Sequence, residues 1–199
     1  MAPSLSHPAA GLSNGGPLFI LHLVLVLALD TATPYLVLGL PHAERALLLK
    51  RRHAEVLWAE LEQFLQDFET PLERLQGIAV GQGPGSYTGL RVGIAAGLGL
   101  GRGLGLPVVG VETLAGVALR YPGVVTVAQQ GRAGLAYAAT YRVEAGRAAP
   151  LQPPRRVALA GLEAQGLLVL DQPPSGRALA RLGAERLARG EASVEPLYL

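Results

Sequence analysis

Two stretches carry residues whose types and spacing could do chemistry. The first is Asp30-Thr31-Ala32-Thr33, which closes the apolar run that ends at Leu29. One carboxylate and two hydroxyls in a tight turn are the groups that help hold a metal ion and donate to phosphate oxygens. The same side chains can instead satisfy their own turn backbone, as Asp and Thr commonly do. The second stretch is Gly81-Gln-Gly-Pro-Gly-Ser-Tyr-Thr-Gly89, a Gly/Pro loop that leads into a helix-length segment. Backbone amides at a helix start can hold an anion. The specific signatures are missing, however: no Gly-Lys-Ser/Thr follows, and no Gly-x-Gly-x-x-Gly occurs in the stretch. Ser86 has Pro84 and Thr88 where a nucleophile elbow needs glycines, so it reads as a helix N-cap. The histidines are His7, His22, His42 and His53. No two stand at metal-ligand spacing and none follows position 53, which argues against a metal site and a Ser-His-Asp hydrolase.

The elements that must position these residues follow from the hydrophobic pattern. Leu23 to Leu29 reads as a strand, Asp30 to Pro34 as a turn, and Tyr35 to Leu40 and Ala46 to Arg51 as two more strands. From His53 to Phe68 the period changes. Leu57, Leu61, Phe64, Leu65 and Phe68 make one helix face, which Val56 and Trp58 widen, and Glu55, Glu60, Glu62, Asp67 and Glu69 make a solvated acidic one. Gly77 to Val80 is a fourth strand. After the loop, glycines at 85, 89, 93, 97, 101 and 105 recur every fourth residue. On a helix they form a nearly axial ridge. Each interior one costs about 1 kcal/mol of propensity relative to Ala, so close packing must compensate. The ridge is expected near a partner surface. Pro107 to Val111 is a fifth strand and Glu112 to Arg120 a short helix.

Beyond that the pattern is less regular. Strands are expected at Val124 to Ala128, Leu135 to Tyr141, Val157 to Ala160 and Leu167 to Leu170. Connectors are expected at Pro150 to Pro154 and Gln172 to Gly176, and a helix at Ala178 to Ala188. The opening order β-β-β-α-β-α-β-α predicts an α/β fold in which a three-stranded antiparallel meander is continued by parallel strands with crossover helices. That is the ribonuclease H-like, actin-like (ASKHA) arrangement. In actin-like ATPases a turn such as Asp30 to Thr33 approaches the nucleotide phosphates. The expected division is an N-terminal extension over 1–22, an actin-like lobe over 23–111 and a small second lobe over 112–199.

Bulk properties set bounds. The 199 residues are 50% hydrophobic, enough for a sizeable core. Net charge is only +2, and every basic residue except Lys50 is arginine, spread without a block; charge alone does not single out a nucleic-acid partner. There is no cysteine, which excludes disulfides and thiolate metal sites and fits a reducing compartment. The apolar run from Phe19 to Leu29 is too short to span a bilayer and has no Lys or Arg before it, unlike a secretory signal.

Leu-Ala-Leu-Asp30-Thr-Ala-Thr, Gly-Gln-Gly-Pro-Gly-Ser-Tyr-Thr-Gly-Leu-Arg91-Val-Gly and Gly-Leu-Pro-Val-Val-Gly-Val-Glu-Thr-Leu together resemble the TsaB (YeaZ) family. The terminal Glu195-Pro-Leu-Tyr-Leu199 is similar to the usual ending of that family. The resemblance implies a cytoplasmic subunit of the bacterial complex that makes N6-threonylcarbamoyladenosine at tRNA position 37. Its partners would be the transferase TsaD and the ATPase TsaE, with a homodimer as the other pairing; tRNA is met through the complex, and no membrane is involved. The related TsaD carries two metal-binding histidines in the segment after strand five. Here Thr113 and Val117 stand at those positions, which points to the non-catalytic paralogue. The subunit would then need no cofactor. A weak, vestigial phosphate turn would remain at Asp30, Thr31 and Thr33, and a nucleotide at the complex interface stays open. The helices beginning near His53 and Ser86 would form the dimerisation surface, with Gly83, Pro84, Gly85, Ser86, Thr88, Gly89, Arg91, Gly93, Gly97, His53 and Leu57 as its interface or structural residues. The alternative is an actin-like ATP-dependent phosphotransferase using Asp30 and the Gly83 to Thr88 loop. Three departures from the family stand out: about 20 extra residues at the start, Gln130-Gly-Arg132 where members often have Asp-Ala-Arg, and a second lobe shorter than in many relatives.

Overall fold

The computed structural model describes residues 24–49 and 52–199. The expected N-terminal extension lies outside the described residues. Five strands form the first sheet: β1 (Val26–Asp30), β2 (Tyr35–Leu40), β3 (Ala43–Leu48), β4 (Gly77–Gly81) and β5 (Val108–Val111). Their order is β3-β2-β1-β4-β5. β1–β2 and β2–β3 are antiparallel, while β1–β4 and β4–β5 are parallel, as the chain order predicts. β3 begins three residues earlier than the hydrophobic pattern suggests. Ala43 follows the Pro41-His42 turn directly, and the polar side chains of Glu44 and Arg45 after it hid the strand start.

Alternation on β1 and β4 sends side chains to two covered faces. Leu27, Leu29, Leu36, Leu38 and Leu40 meet Leu57, Leu61, Phe64 and Leu65 of α1 (His53–Asp67). Ile78, Val80 and Val108 on the same face meet Ile94 of α2 (Tyr87–Leu104). On the opposite face Val26, Ala28, Ala79, Val109 and Val111 pack on Leu179 and Ala180 of α4 (Gly176–Ala188). Each fully buried Leu or Phe in these layers stabilises the fold by roughly 1.5–3 kcal/mol.

α2 approaches its sheet closely because its inward ridge has no side chains. A methyl group at Gly93 would meet the Thr31 hydroxyl, at Gly97 it would land on Val80, and at Gly101 on Val108. Ser86 caps the helix by accepting from the Gly89 amide at 3.3 Å, and Gly105 ends it in the left-handed conformation (φ 67°). This corrects one expectation. The ridge through Gly89, Gly93 and Gly97 faces the chain's own sheet, so it is not surface offered to a partner.

The second sheet has the order β8-β7-β6-β9, built from β6 (Gly123–Gln130), β7 (Leu135–Glu144), β8 (Arg147–Ala158) and β9 (Leu167–Leu170). α3 (Thr113–Ala118) packs on one of its faces through Leu114 and Val117, against Val125, Val127, Ala139 and Tyr141. The expected connector Pro150 to Pro154 is strand instead. β8 is an edge, where a residue without an N–H does least harm. The Pro153-Pro154 pair stands opposite Ala139 alone, so the prolines sit in a bulge. The expected strand at Val157 to Ala160 is the end of β8 followed by a 3-10 turn (Leu159–Gly161).

The chain does not stay with the second sheet to its end. α4 returns to the first sheet, and the Gly110 amide donates to the Ser193 carbonyl at 2.8 Å. A carboxylate clasp secures the return. Glu44 of β3 accepts from the Ser175 hydroxyl (2.6 Å), the Arg177 amide (3.1 Å) and the Arg120 guanidinium (3.2 Å). Partial burial alone would raise the Glu44 pKa. The Ser175 and Arg177 hydrogen bonds and the Arg120 charge outweigh it and hold the carboxyl below its ordinary value. No helix among the described residues is long and apolar enough to cross a membrane.

The two kinds of glycine on α2 give opposite expectations. Gly97→Ala should lose about 1–3 kcal/mol in urea unfolding through overpacking on Val80. Gly99→Ala, whose added methyl meets nothing within 4 Å, should gain up to about 1 kcal/mol from helix propensity. Equal effects at the two positions would contradict the packing described.

Candidate functional site

The chemistry-bearing residues of the sequence converge where the carboxyl ends of β1, β4 and β5 meet, the usual ligand position of an open α/β sheet. Parallel pairing of β1 with β4 and of β4 with β5 brings Asp30, Gly81 and Val111 side by side. The turn after β1, the loop after β4 and the start of α3 then close on one another.

Asp30 has no accessible surface. One carboxylate oxygen accepts from the Ala32 amide at 2.8 Å and the other from the Thr113 hydroxyl at 2.6 Å. The Gly83 amide donates to the Thr113 hydroxyl at 3.2 Å, and the Thr113 amide to the Gly83 carbonyl at 2.9 Å. Burial pushes the Asp30 carboxyl above its ordinary pKa, partly offset by the bonds from Thr113 and Ala32. Thr31 donates its hydroxyl to the Gly89 carbonyl at 2.7 Å, and Thr33 accepts from the Tyr35 amide at 3.3 Å. Both threonines are buried. The loop lies directly on the turn: Ser86 donates its amide to the Ala32 carbonyl at 2.8 Å, and methyl groups at Gly85 and Gly89 would strike the Ala32 and Thr31 carbonyls. Asp30 and Thr33 thus bond backbone amides of their own turn, while the second Asp30 oxygen is held by Thr113 and the Thr31 hydroxyl by Gly89.

Beside this cluster Glu112 is largely buried and accepts a hydrogen bond from the Tyr141 hydroxyl of β7. Burial raises the Glu112 pKa above the ordinary carboxylate value, partly offset by that hydrogen bond. Burial and the Glu112 carboxylate together push the Tyr141 hydroxyl above the ordinary phenol value. The pair ties the start of α3 to the second sheet. Nothing in the sequence marked it, because Glu112 and Tyr141 are 29 residues apart. Thr113 and Val117 are both fully buried. Among the described residues no three His, Cys, Asp or Glu side chains are gathered as a metal ion would require.

The expected interface residues divide. Gly83, Pro84, Gly89, Gly93, Gly97, His53 and Leu57 are buried within the chain, and Gly85 is half-buried. Leu57 belongs to the core under β1 and β2. His53 lies against the β1–β2 turn; burial lowers its pKa, and the nearby backbone of Tyr35 and Thr33 opposes that. Gly97 and Leu57 are buried against the first sheet, and Gly89 and Gly93 against Thr31 at the end of β1. Ser86, Thr88 and Arg91 are exposed. Arg91 lies 5.5 Å from the Tyr87 ring centre, and the Tyr87 ring is 5.3 Å from that of Tyr198.

The exposed face of the α1–α2 layer is made by other residues. Trp58 is 53% exposed and Leu98 47%. Beside them Trp58, Leu61, Leu65, Leu72 and Leu100 line a cleft of about 660 Å³. Trp58, counted as a widening of the core face in sequence, points outward. Once the glycine ridge is known to face the sheet, Ala95, Leu98 and Arg102 must face away, and the sequence held that signal in its four-residue spacing.

Three antiparallel strands continued by two parallel ones, with helices on both faces, define an actin-like, ribonuclease H-like protein. The family described as TsaD, tRNA N6-adenosine threonylcarbamoyltransferase, matches residues 47–180. A protein named tRNA threonylcarbamoyladenosine biosynthesis protein TsaB from Bacillus subtilis is 30% identical over 143 residues, 68% of this chain and 62% of that protein. An uncharacterized protein of Mycobacterium leprae is 36% identical over 127 residues, 59% of this chain and 35% of its own length. The solved structure of YeaZ from Pseudomonas aeruginosa superposes with a TM-score of 0.79 at 24% identity, covering 88% of this chain and 99% of that one. The chain belongs to the TsaD family of proteins and, within it, to the TsaB (YeaZ) group. It spans about three fifths or less of the length of the curated relatives it matches.

The Glu112–Tyr141 pair has a measurable pH signature. The folded chain holds the Glu112 proton to higher pH than the unfolded chain does. The stability it contributes is therefore full below the ordinary value of 4.5 and is lost as pH rises through the raised one. Gln at 112 keeps an acceptor for Tyr141 and cannot ionise. The stability of the wild type relative to Glu112→Gln should accordingly fall as pH rises above 4.5 in urea titrations at a series of pH values. A difference that stays flat across that range would contradict the buried carboxyl.

Proposed function

We propose that the chain is a non-catalytic subunit of the machinery that makes N6-threonylcarbamoyladenosine in tRNA, acting as the partner of a TsaD-type transferase. The observation that carries this reading is the Thr113–Asp30 hydrogen bond. At the position where the related transferase places a metal-binding histidine, this chain has a hydroxyl turned onto its own Asp30. The carboxylate that a nucleotide-binding turn would direct at metal and phosphate is thereby committed to internal donors. Opening the turn would strand a buried carboxylate and the Gly83 amide, each loss of a partner costing roughly 1–3 kcal/mol or more. On this reading Asp30, Thr31 and Thr33 are a structural remnant, and the subunit works without a nucleotide of its own.

The surface left for function is the outer face of α1 and α2. A 660 Å³ apolar cleft next to an exposed Trp is the composition of a protein-binding hot spot. TsaD is the proposed occupant, a second copy of this chain is the alternative pairing, and TsaE is the proposed further member. The bacterial cytoplasm is the compartment in which this work would be done.

Reconstitution tests the function. TsaD, TsaE, unmodified tRNA and threonylcarbamoyl-AMP should transfer the threonylcarbamoyl group efficiently only when this chain is added. Equal transfer without it would refute the proposal. The surface has its own test. Trp58→Asp combined with Leu98→Asp should leave the melting temperature within a few degrees of wild type, since both are exposed, yet reduce association with TsaD at least tenfold in pull-down and calorimetry. Unchanged affinity would move the interface elsewhere.

A further inference from the structure

The second sheet carries a charged surface that none of this uses. Between residues 131 and 158 the chain has five arginines, Arg132, Arg142, Arg147, Arg155 and Arg156, and one carboxylate, Glu144. All five arginines are exposed. Arg142 pairs with Glu144 at 3.5 Å. Among the described residues no carboxylate lies within 4.0 Å of the other four. The stretch therefore has a local excess of positive charge that the whole-chain value of +2 conceals. The exposed acidic side chains of α1 and just after it, among them Glu55, Glu62 and Glu69, supply much of the cancellation from the layer over the other sheet.

Register places three of these arginines on one face. Arg155 stands opposite Ala138, Gln152 opposite Thr140, Ala149 opposite Arg142, and Arg147 opposite Glu144. Ala138, Thr140, Arg142 and Glu144 alternate along β7 and so share a face, and their cross-strand partners share it with them. Val125, Val127, Ala139 and Tyr141, which pack on α3, lie on the opposite face. Arg142, Arg147 and Arg155 thus line the side of the ribbon away from α3. From Arg147 to Arg155 the strand runs roughly 25 Å at about 3.3 Å per residue.

The chemistry of this surface selects its partner. Pro150, Pro153 and Pro154 remove backbone donors from β8, so the edge is a poor template for an added protein strand. Recognition must then come from side chains. Guanidinium forks spaced along a ribbon suit a chain of phosphates more than a single anion. We propose that Arg142, Arg147 and Arg155 form a contact for the RNA backbone, through which this subunit holds phosphates of the tRNA that the complex modifies. The inference rests on the function proposed above and adds a direct RNA contact to it. Because the contact is to phosphates, it positions the RNA and reads no sequence.

Each phosphate neutralised contributes about −0.7 to −0.9 to the slope of log affinity against log salt concentration. The test is fluorescence-anisotropy titration of labelled unmodified tRNA across a salt series. It compares the wild type with the triple variant Arg142→Gln, Arg147→Gln, Arg155→Gln, both as complexes with TsaD and as isolated chains. The variant complex should assemble as wild type does on gel filtration. It should bind tRNA at least tenfold more weakly at low salt, with a slope shallower by about 2–3. Equal affinity and slope in both formats would overturn the proposal. So would loss of TsaD association with tRNA binding intact, which would make the face a protein interface. If the wild-type chain neither pairs with TsaD nor supports transfer, yet the isolated variant still loses RNA affinity and slope, the functional reading fails while the RNA contact stands.

Discussion

The close approach of α2 to β1 and β4 is the constraint on which the rest depends. Gly93, Gly97 and Gly101 let the helix axis sit where any side chain would collide with Thr31, Val80 or Val108. That distance is what allows the Thr31 hydroxyl to reach the Gly89 carbonyl and the Ser86 amide to reach Ala32. A helix seated farther out would leave those donors and acceptors buried and unpaired. The helix accepts about 1 kcal/mol per interior glycine in propensity, and the compact seating of loop on turn offsets it. The same seating fixes which residues of α2 face outward, and so shapes the surface proposed for the partner.

From this seating follows the closure of the site. Asp30, Thr31, Gly83, Gly89 and Thr113 come from four elements, and each satisfies a polar group of another. A network in which every member is paired is rigid and costly to open. Glu112, next to Thr113, extends it to Tyr141, so the two sheets meet through adjacent residues that face different partners. The Glu44 clasp does similar work on the far side, joining β3 to the end of α3 and the start of α4. At the carboxyl ends of β1, β4 and β5 the chain's own side chains and loop backbone bond one another.

Much of this was legible in the sequence, for physical reasons. Short apolar runs bounded by turn residues, such as Tyr35 to Leu40 after Pro34, read as buried strands, and the change to period 3.6 at His53 marks a helix. The strand order follows from those elements and the handedness of crossovers. What escaped was direction and distance. The glycine spacing announced a packed ridge but not whether a partner or the chain's own sheet packs against it. Trp58 sits at the margin of an amphipathic face, where periodicity does not separate inward from outward. Three prolines disguised β8, because proline is tolerated in an edge strand and edges cannot be recognised before the sheet is known. Asp30 and Thr113 are 83 residues apart, so only the fold brings them together.

Hydrogen–deuterium exchange on one sample tests the central claim, that the turn is closed by its own residues while the outer face of α1 and α2 is open for a partner. Adding ATP and magnesium should leave exchange unchanged over residues 30–33, 83–89 and 113. Adding TsaD should protect amides of α1 and α2. Nucleotide-dependent protection at the Asp30 turn, with no change in the two helices when TsaD is present, would contradict the account.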